Sequence, residues 1–527
     1  MTKGEKSIWQ RSTTVRLLRW VFSEHVIRLG FRLFLVGAVV LVLYYGEEDW
    51  RGSRAWRLYL SRSGITPSQL DLQTYVPKPV SDDENFAAIP VIQSWFVVGS
   101  RTGMFDCDHF SQAPPLLIET IKNVEKRKGL HRLDLTAWQK GLMNKSTTGT
   151  SAPHDGKIGL PSRQQSAAQV LAALQDDNAA IQSLAAASDR SMFCYPVNYT
   201  LDDPWGILLP HDRNIKELAV RLELRACAEL EVGDSDKAFQ DVMLTLYLAD
   251  SLTNEPLVIS FLVRAGCVHA AVQPVWEGIA EQRWSDSQLQ RIEMRLLQFH
   301  FTSELERPLK TDRAAAVLTI DLTKSKGVSY LARTVSTEPT ILGGVIGTVI
   351  DWAIPSGWFA LEKVNYCRSF DTLFANTFDP AAETVSPLQA DANRESFKRT
   401  VNAGGRTATG TILHHWTIAR IFLPTLPKVL FGAAIAQASA DQAALACALE
   451  RYRLANGKHP ASLQSLVPKC IPTMPHDVIG GQDYRYRRID ADHFILYSIG
   501  WNKEDDGGTP GELLFSQDGD WVWKNSD

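Results

Sequence analysis

Ala448-Leu-Glu-Arg-Tyr-Arg-Leu-Ala-Asn-Gly-Lys-His-Pro460, then Asp483-Tyr-Arg-Tyr-Arg-Arg488, then Leu496-Tyr-Ser-Ile-Gly-Trp-Asn-Lys-Glu-Asp-Asp-Gly-Gly508 is the stretch that decides the fold. Upstream of it, Ala434, Ala438, Asp441, Leu445, Ala448 and Tyr452 recur at helical spacing, and Asn456-Gly457 is a helix C-cap, so residues 430–456 are expected to form one long helix. Pro460, Pro468, Pro472 and Pro475 hold the next segment out of helix. Tyr484 and Tyr486 then alternate with Arg485 and Arg487. A second apolar run covers 494–499, with Asp490-Ala-Asp492 between the two, which is a hairpin pattern. Trp521-Val-Trp523 supplies a third strand. The expected unit is a helix laying its Ala/Leu stripe on a small antiparallel sheet.

Working outward, the middle of the chain is helical. Residues 166–188 are rich in Ala and Leu. Ile215, Leu218, Leu222 and Ala226 form one stripe up to Gly233, and Ala238, Phe239, Val242 and Leu246 begin the next. A third helix is expected over about 258–280. A fourth opens at Ser285, where Ser285 with Gln288 makes a capping box beside Trp284 and Leu289. These are consecutive helical hairpins, somewhat like tetratricopeptide-type arrays but with no clean 34-residue repeat, so an irregular bundle serves equally well. Residues 144–166 are polar and aperiodic and are expected to be a linker. The apolar regions 339–361 and 411–440 are interrupted by Asp351, Pro355, Arg420, Pro424, Pro427 and Lys428, and are expected to be buried rather than membrane-facing.

At the other end, Leu33 to Tyr45 is an unbroken apolar run. It is preceded by Lys3, Lys6, Arg11, Arg16, Arg19, Arg28 and Arg32, and followed by Glu47-Glu48-Asp49. With Arg28 and Arg32 snorkelling, residues 27–45 are long enough for a transmembrane anchor. The basic flank is expected on the cytoplasmic side, which places 46–527 outside the membrane, and no cleavage site follows Tyr45.

The chain has 527 residues, a hydrophobic content of 45% and a net charge of −4, so a sizeable core is expected and electrostatics give no case for nucleic-acid binding. Seven scattered cysteines without a Cys-x-x-Cys pair argue against a disulfide framework or structural zinc. One or two disulfides fit an exported body, with Cys447 and Cys470 a candidate pair, and buried free thiols are the preferred reading. Catalytic patterns are absent: no Gly-x-Ser-x-Gly, no His-Glu-x-x-His, no Ser-x-x-Lys, and Gly149 to Gly156-Lys157 has the wrong spacing for a phosphate loop. Gly343, Gly344 and Gly347 lie in an apolar run rather than after a strand. Adjacent His414 and His415 point about 100° apart on a helix, and Cys107-Asp108-His109 has no partner spacing.

Ala448-Leu-Glu450, Tyr452-Arg453, Asn456-Gly457, Pro460, Leu466-Val467-Pro468, Pro475, Tyr484-x-Tyr486-Arg487, Ser498-x-Gly500, Gly507-Gly508 and Asp520-Trp521 together resemble the globular domain of type II secretion major pseudopilins. That family packs a helix on a small antiparallel sheet and binds calcium in its late loops. The resemblance covers about a sixth of the chain, and the whole resembles membrane-anchored bacterial proteins with this ending. Pseudopilins carry their assembly helix at the N-terminus, continuous with this domain. Here the module is C-terminal, so reuse as a recognition or stabilising domain is expected. The resemblance implies a calcium site at Asn502, Asp505, Asp506, Asp518 and Asp520, whose oxygens on a Gly-rich turn suit a hard cation; a solvated acidic turn is the alternative.

The expected fold is therefore mainly α: a basic segment (1–26), a transmembrane helix (27–45), a membrane-proximal region (46–143), a linker (144–166), an α-helical hairpin domain (167–305), a helical and irregular region (306–429) and a small α+β pseudopilin-like domain (430–527). The expected role is a non-catalytic interaction or scaffold protein of the bacterial envelope. It would be single-pass in the inner membrane, with a cytoplasmic N-terminus, a periplasmic body and envelope protein partners. A type II secretion or pilus-like component, or an envelope enzyme with its site in the helical body, are the alternatives.

Overall fold

Most of the chain's apolar periodicity is helical, and in the computed structural model helices account for 65% of the described residues against 6% for strands. The structure describes residues 13–97, 130–137, 162–200, 203–335, 353–403, 408–512 and 516–525. Its longer helices are α1 (Glu24–Ser63), α2 (Arg163–Ala173), α3 (Pro210–Val232), α4 (Ser235–Ser251), α5 (Val258–Ala280), α6 (Asp286–Leu296), α7 (Glu306–Lys326), α8 (Ser356–Phe374), α9 (Pro387–Ala403) and α10 (Pro427–Asn456). The strands are β1 (Phe378–Asp379), β2 (Thr384–Val385), β3 (Arg485–Arg488), β4 (Phe494–Ser498) and β5 (Trp521–Lys524).

Local chemistry sets the hairpins. Gly233, at φ 91°, ends α3 in the left-handed region, and Asp234 caps α4 by accepting from the Lys237 N–H. Ser260 donates to Asp212 at 2.8 Å, which brings the starts of α3 and α5 together, so these two run parallel with α4 returning between them. α6 opens with the Ser285–Gln288 capping box.

α10 is the centre of the molecule. From Val429 to Glu450 almost every residue is buried, because α5 and α6 cover one side and the β3–β4–β5 sheet lies against another. A helix buried on all faces needs no polar stripe, and its alanines let neighbouring backbones approach. The sheet is antiparallel in the order β3-β4-β5, with Tyr486 opposite Leu496 and Leu496 opposite Trp523. One continuous apolar core runs from Tyr59 through the helices to Phe494, Trp521 and Trp523. The indole N–H of Trp276 on α5 donates to the Lys524 carbonyl on β5 at 2.5 Å.

α1 is one 40-residue helix. Its apolar half is bare, with Phe34 and Val42 each about 70% exposed. Its second half docks parallel to α8: Tyr45 OH donates to the Ala353 carbonyl, Asp49 accepts from the Gly357 N–H, and Tyr59 OH donates to Asp371. α7 runs antiparallel to α8, tied by Lys363–Asp321, Tyr366–Asp312 and Arg313–Asp371.

Among the described residues, three helical stretches are long and apolar enough to cross a membrane: α1, α5 and residues 417–456. The apolar window is 0% buried in α1, 72% buried in α5 and 50% buried in 417–456. The latter two therefore place most or half of that surface in the protein's own core.

Several expectations change in detail. Residues 46–63, read as the start of a separate membrane-proximal region, continue α1, which ends at Gly64 in the left-handed region (φ 68°). The helix foreseen over 166–188 is two helices broken at Gln175–Asp177. Ser162 already caps α2 with Gln165, inside the stretch read as linker. Within the region read as helical and irregular, α8 runs from Ser356 and is followed by the β1–β2 turn and α9. Cys447 and Cys470 are both free; Cys447 is buried within α10, where burial pushes its thiol well above its ordinary pKa. The polar stretch 144–161, Cys107-Asp108-His109, Gly149, Gly156-Lys157, the basic segment 1–12 and the glycines at 343, 344 and 347 lie outside the described residues.

Candidate functional site

The acidic turn foreseen as a calcium site forms between β4 and β5. Gly507 and Gly508, at φ 68° and 82°, allow the chain to fold back sharply, and a Cβ on Gly508 would press on Ile495 and Tyr497. Asp505 accepts from Tyr497 OH at 3.0 Å and from the Gly507 N–H at 3.0 Å, and lies 3.4 Å from Arg485. Asn502 donates to Asp506 at 3.2 Å. Asp520, only 1% exposed, accepts from the Gly508 N–H at 2.7 Å through one oxygen, while its other oxygen is buried without a hydrogen bond. Burial pushes the Asp520 carboxyl up from its ordinary value, with the neighbouring Asp506 and Asp505 charges adding to the shift. The structure thus brings Asn502, Asp505, Asp506 and Asp520 to one turn. Asp518 is exposed on the later loop, its carbonyl accepting from Ser516. Among the described residues, no three His, Cys, Asp or Glu side chains are gathered in an arrangement that holds a metal ion.

Beneath this turn a chain of buried polar groups ties the sheet to α10. Tyr484 OH donates to Asp441 at 2.9 Å, and Gln437 donates to the other Asp441 oxygen at 3.0 Å and to the Phe299 carbonyl at 3.1 Å. Asp477 accepts from Ser498 OH and from the N–H groups of Ile479 and Ile499. Burial pushes Asp441 up to about 7 and Asp477 up to about 6, so Asp441 is substantially protonated near neutrality.

A groove of about 1010 Å³ lies elsewhere, over α4. Phe239, Met243 and Tyr247, one face of α4 at i, i+4 and i+8, are lined up along it. One wall is α6, tied down by Gln288 to Asp236 (2.8 Å) and by the Arg295–Asp250 ion pair, with Arg291 over the Phe239 ring at 4.8 Å. The other wall is the segment before Phe193, held by Tyr247 OH donating to the Arg190 carbonyl at 2.6 Å. Its volume is that of a small-molecule or peptide cleft.

The most concentrated buried polar group in the helical body is His211. Its ring is stacked on Tyr195 at 4.2 Å and Phe96 at 5.7 Å, and both ring nitrogens lack a hydrogen bond. Asp212 stands 3.4 Å and Glu255 3.6 Å from its Nε2. Tyr199 OH donates to Glu255, and burial pushes Asp212 up to about 6. His, Asp and Glu converge here, but His211 is 0% exposed and the described groove does not reach it. Its nearest sequence signal was the pair His211-Asp212 at the opening of a helix after Pro210. Neither the groove nor this cluster follows a motif, because the partners come from segments more than 100 residues apart in sequence, such as Phe96 with His211 and Ala185 with Arg295.

His415 is buried against Trp358, and that burial pushes its pKa down to about 4. Comparison with protein-family models, with curated proteins and with solved structures finds no significant match to this chain.

Proposed function

We propose that this protein is a single-span envelope protein whose helical body is held at the membrane surface to bind partner molecules, and that it is not an enzyme. The observation that carries the reading is the division of α1. Its first half exposes an apolar run to the surroundings, while its second half is built into the body through Tyr45, Asp49 and Tyr59. An apolar helix left bare in water would be an aggregation hazard, and a bilayer covers it at no such cost. The basic flank before residue 27 supports a cytoplasmic N-terminus and a periplasmic body in a bacterial inner membrane. The groove over α4 offers a binding surface.

In this reading the pseudopilin-like ending is a recognition or stabilising module rather than a polymerisation unit. The unpartnered buried oxygen of Asp520 beside Asp505 and Asp506 supports calcium as its ligand. Protease added to intact spheroplasts tests the topology: cleavage within 47–527 is expected, and a body protected until the membrane is broken overturns the reading.

A further inference from the structure

The register of three helices fixes which end of the body meets the membrane. Because α8 is parallel to α1, with Ala353 bonded to Tyr45 and Gly357 to Asp49, the N-terminal end of α8 lies where the apolar run of α1 ends. Because α7 is antiparallel to α8, its C-terminal end lies there too, followed by the short helix Val328–Val335.

The charge at this end is not self-cancelling. Lys324 and Arg333 are exposed and have no carboxylate within ion-pair distance among the described residues. Arg54 lies over the ring of Trp50 at 5.0 Å; side chains on α1 lean toward its N-terminus, so this guanidinium leans toward the bilayer. The acids nearby are largely taken: Glu48 pairs with Arg51 at 2.7 Å, Asp49 accepts from the start of α8, and Asp321 pairs with Lys363. Glu47 is exposed on this part of α1, with no hydrogen bond or ion pair among the described residues. Trp50, 57% exposed, stands just beyond Tyr44 and Tyr45, the residue types that settle at headgroup depth.

We propose that this end of the body is a lipid-binding surface, in which Lys324, Arg333 and Arg54 take the phosphates of anionic headgroups while Trp50 sits at the interface. The surface holds the body against the bilayer, so that α1 is not its sole attachment. This inference rests on the reading that residues 27–45 span the membrane.

The test uses the full chain in vesicles of phosphatidylcholine alone and of equal parts phosphatidylcholine and phosphatidylglycerol. An environment-sensitive fluorophore is placed on Ser325→Cys, and separately on Val39→Cys, with labelling of the unsubstituted chain subtracted. Headgroup nitroxide lipids are expected to quench the 325 label at least twofold more in the anionic vesicles. That excess should vanish in Lys324→Glu/Arg333→Glu and at about 1 M salt, where the screening length falls to about 3 Å. Quenching at 325 that is absent, or equal in both vesicles, overturns the lipid surface while acyl-chain quenching at 39 leaves the span standing. Loss of acyl-chain quenching at 39 overturns the span and this inference with it.

Discussion

Gly52 of α1 and Gly357 of α8 meet backbone to backbone: a Cβ on Gly52 would stand 2.1 Å from the Gly357 carbonyl oxygen, and a Cβ on Gly357 would stand 2.1 Å from that of Glu48. No side chain can rotate away to make room, so one helix must move. Gly52→Ala and Gly357→Ala are each expected to destabilise by about 1–3 kcal/mol, the usual range for overpacking. The fall should be visible as a lower Tm and faster proteolysis near residues 46–60. Gly37→Ala, with nothing within 4 Å, should leave both unchanged.

Arg163 reaches across to Glu277 at 2.7 Å and Glu231 at 2.8 Å, and Glu277, 1% exposed, also accepts from the Leu133 N–H at 2.7 Å. Truncating the arginine strands a buried carboxylate. Arg163→Ala is expected to cost about 3 kcal/mol in chemical denaturation, as for other broken buried pairs. Arg163→Met/Glu277→Gln should cost clearly less, because the uncompensated charge is then gone. Equal losses in the two variants would count against the pairing.

Asp441 gives the protein a pH-dependent term of definite sign. The unfolded carboxyl releases its proton near 3.8 and the folded one near 7, because burial disfavours the charge. Across that window the folded state binds more protons than the unfolded state, so this contribution is complete below about pH 4 and is lost as pH rises toward 7. The ceiling is about 4 kcal/mol, three pH units at about 1.4 kcal/mol each. Asp441→Asn should flatten the fall in Tm between pH 4.5 and 8. Parallel curves for the two proteins would rule this residue out as the source.

Millimolar calcium is expected to raise Tm through the turn at 502–508, by binding the folded state alone. The rise should disappear in Asp505→Ala and in Asp520→Asn. Absence of any rise in the unsubstituted protein would leave the turn as a solvated loop braced by Tyr497 and Arg485.

What was legible in the sequence was local. The Ser285–Gln288 box, the Gly233 and Gly457 caps, the Arg485–Arg488 and Phe494–Ser498 hairpin and the Trp521–Trp523 strand all announce themselves within a few residues, where turn and cap chemistry acts. The continuity of α1 past Glu47-Glu48-Asp49 was not legible. A run of three acids reads as a helix exit, yet Glu48 is buried beside Gly357 and Asp49 caps α8, contacts made by residues some 300 positions away. The Ala-rich face of α10 suggested a single stripe on a sheet. Alanine fits under helices as readily as under strands, so periodicity does not say how many neighbours a helix has. Of the expected calcium residues, the turn itself was readable, and the burial of Asp520 was not, since it depends on β5 pairing back along β4.

The bond from Trp276 to Lys524 joins residues 248 positions apart, and β5, the last described strand, supplies Trp523 to the apolar core. Helices α3 to α6 are therefore made long before the surface that covers α10 exists. Synthesis at about 5–20 residues per second leaves an interval of roughly 10–50 seconds in which α5 awaits the sheet, and a shorter one of roughly 3–15 seconds for the uncovered side of α10. Until β5 pairs with β4 and bonds to Trp276, the sheet is incomplete, and β5 closes the structure as a keystone closes an arch.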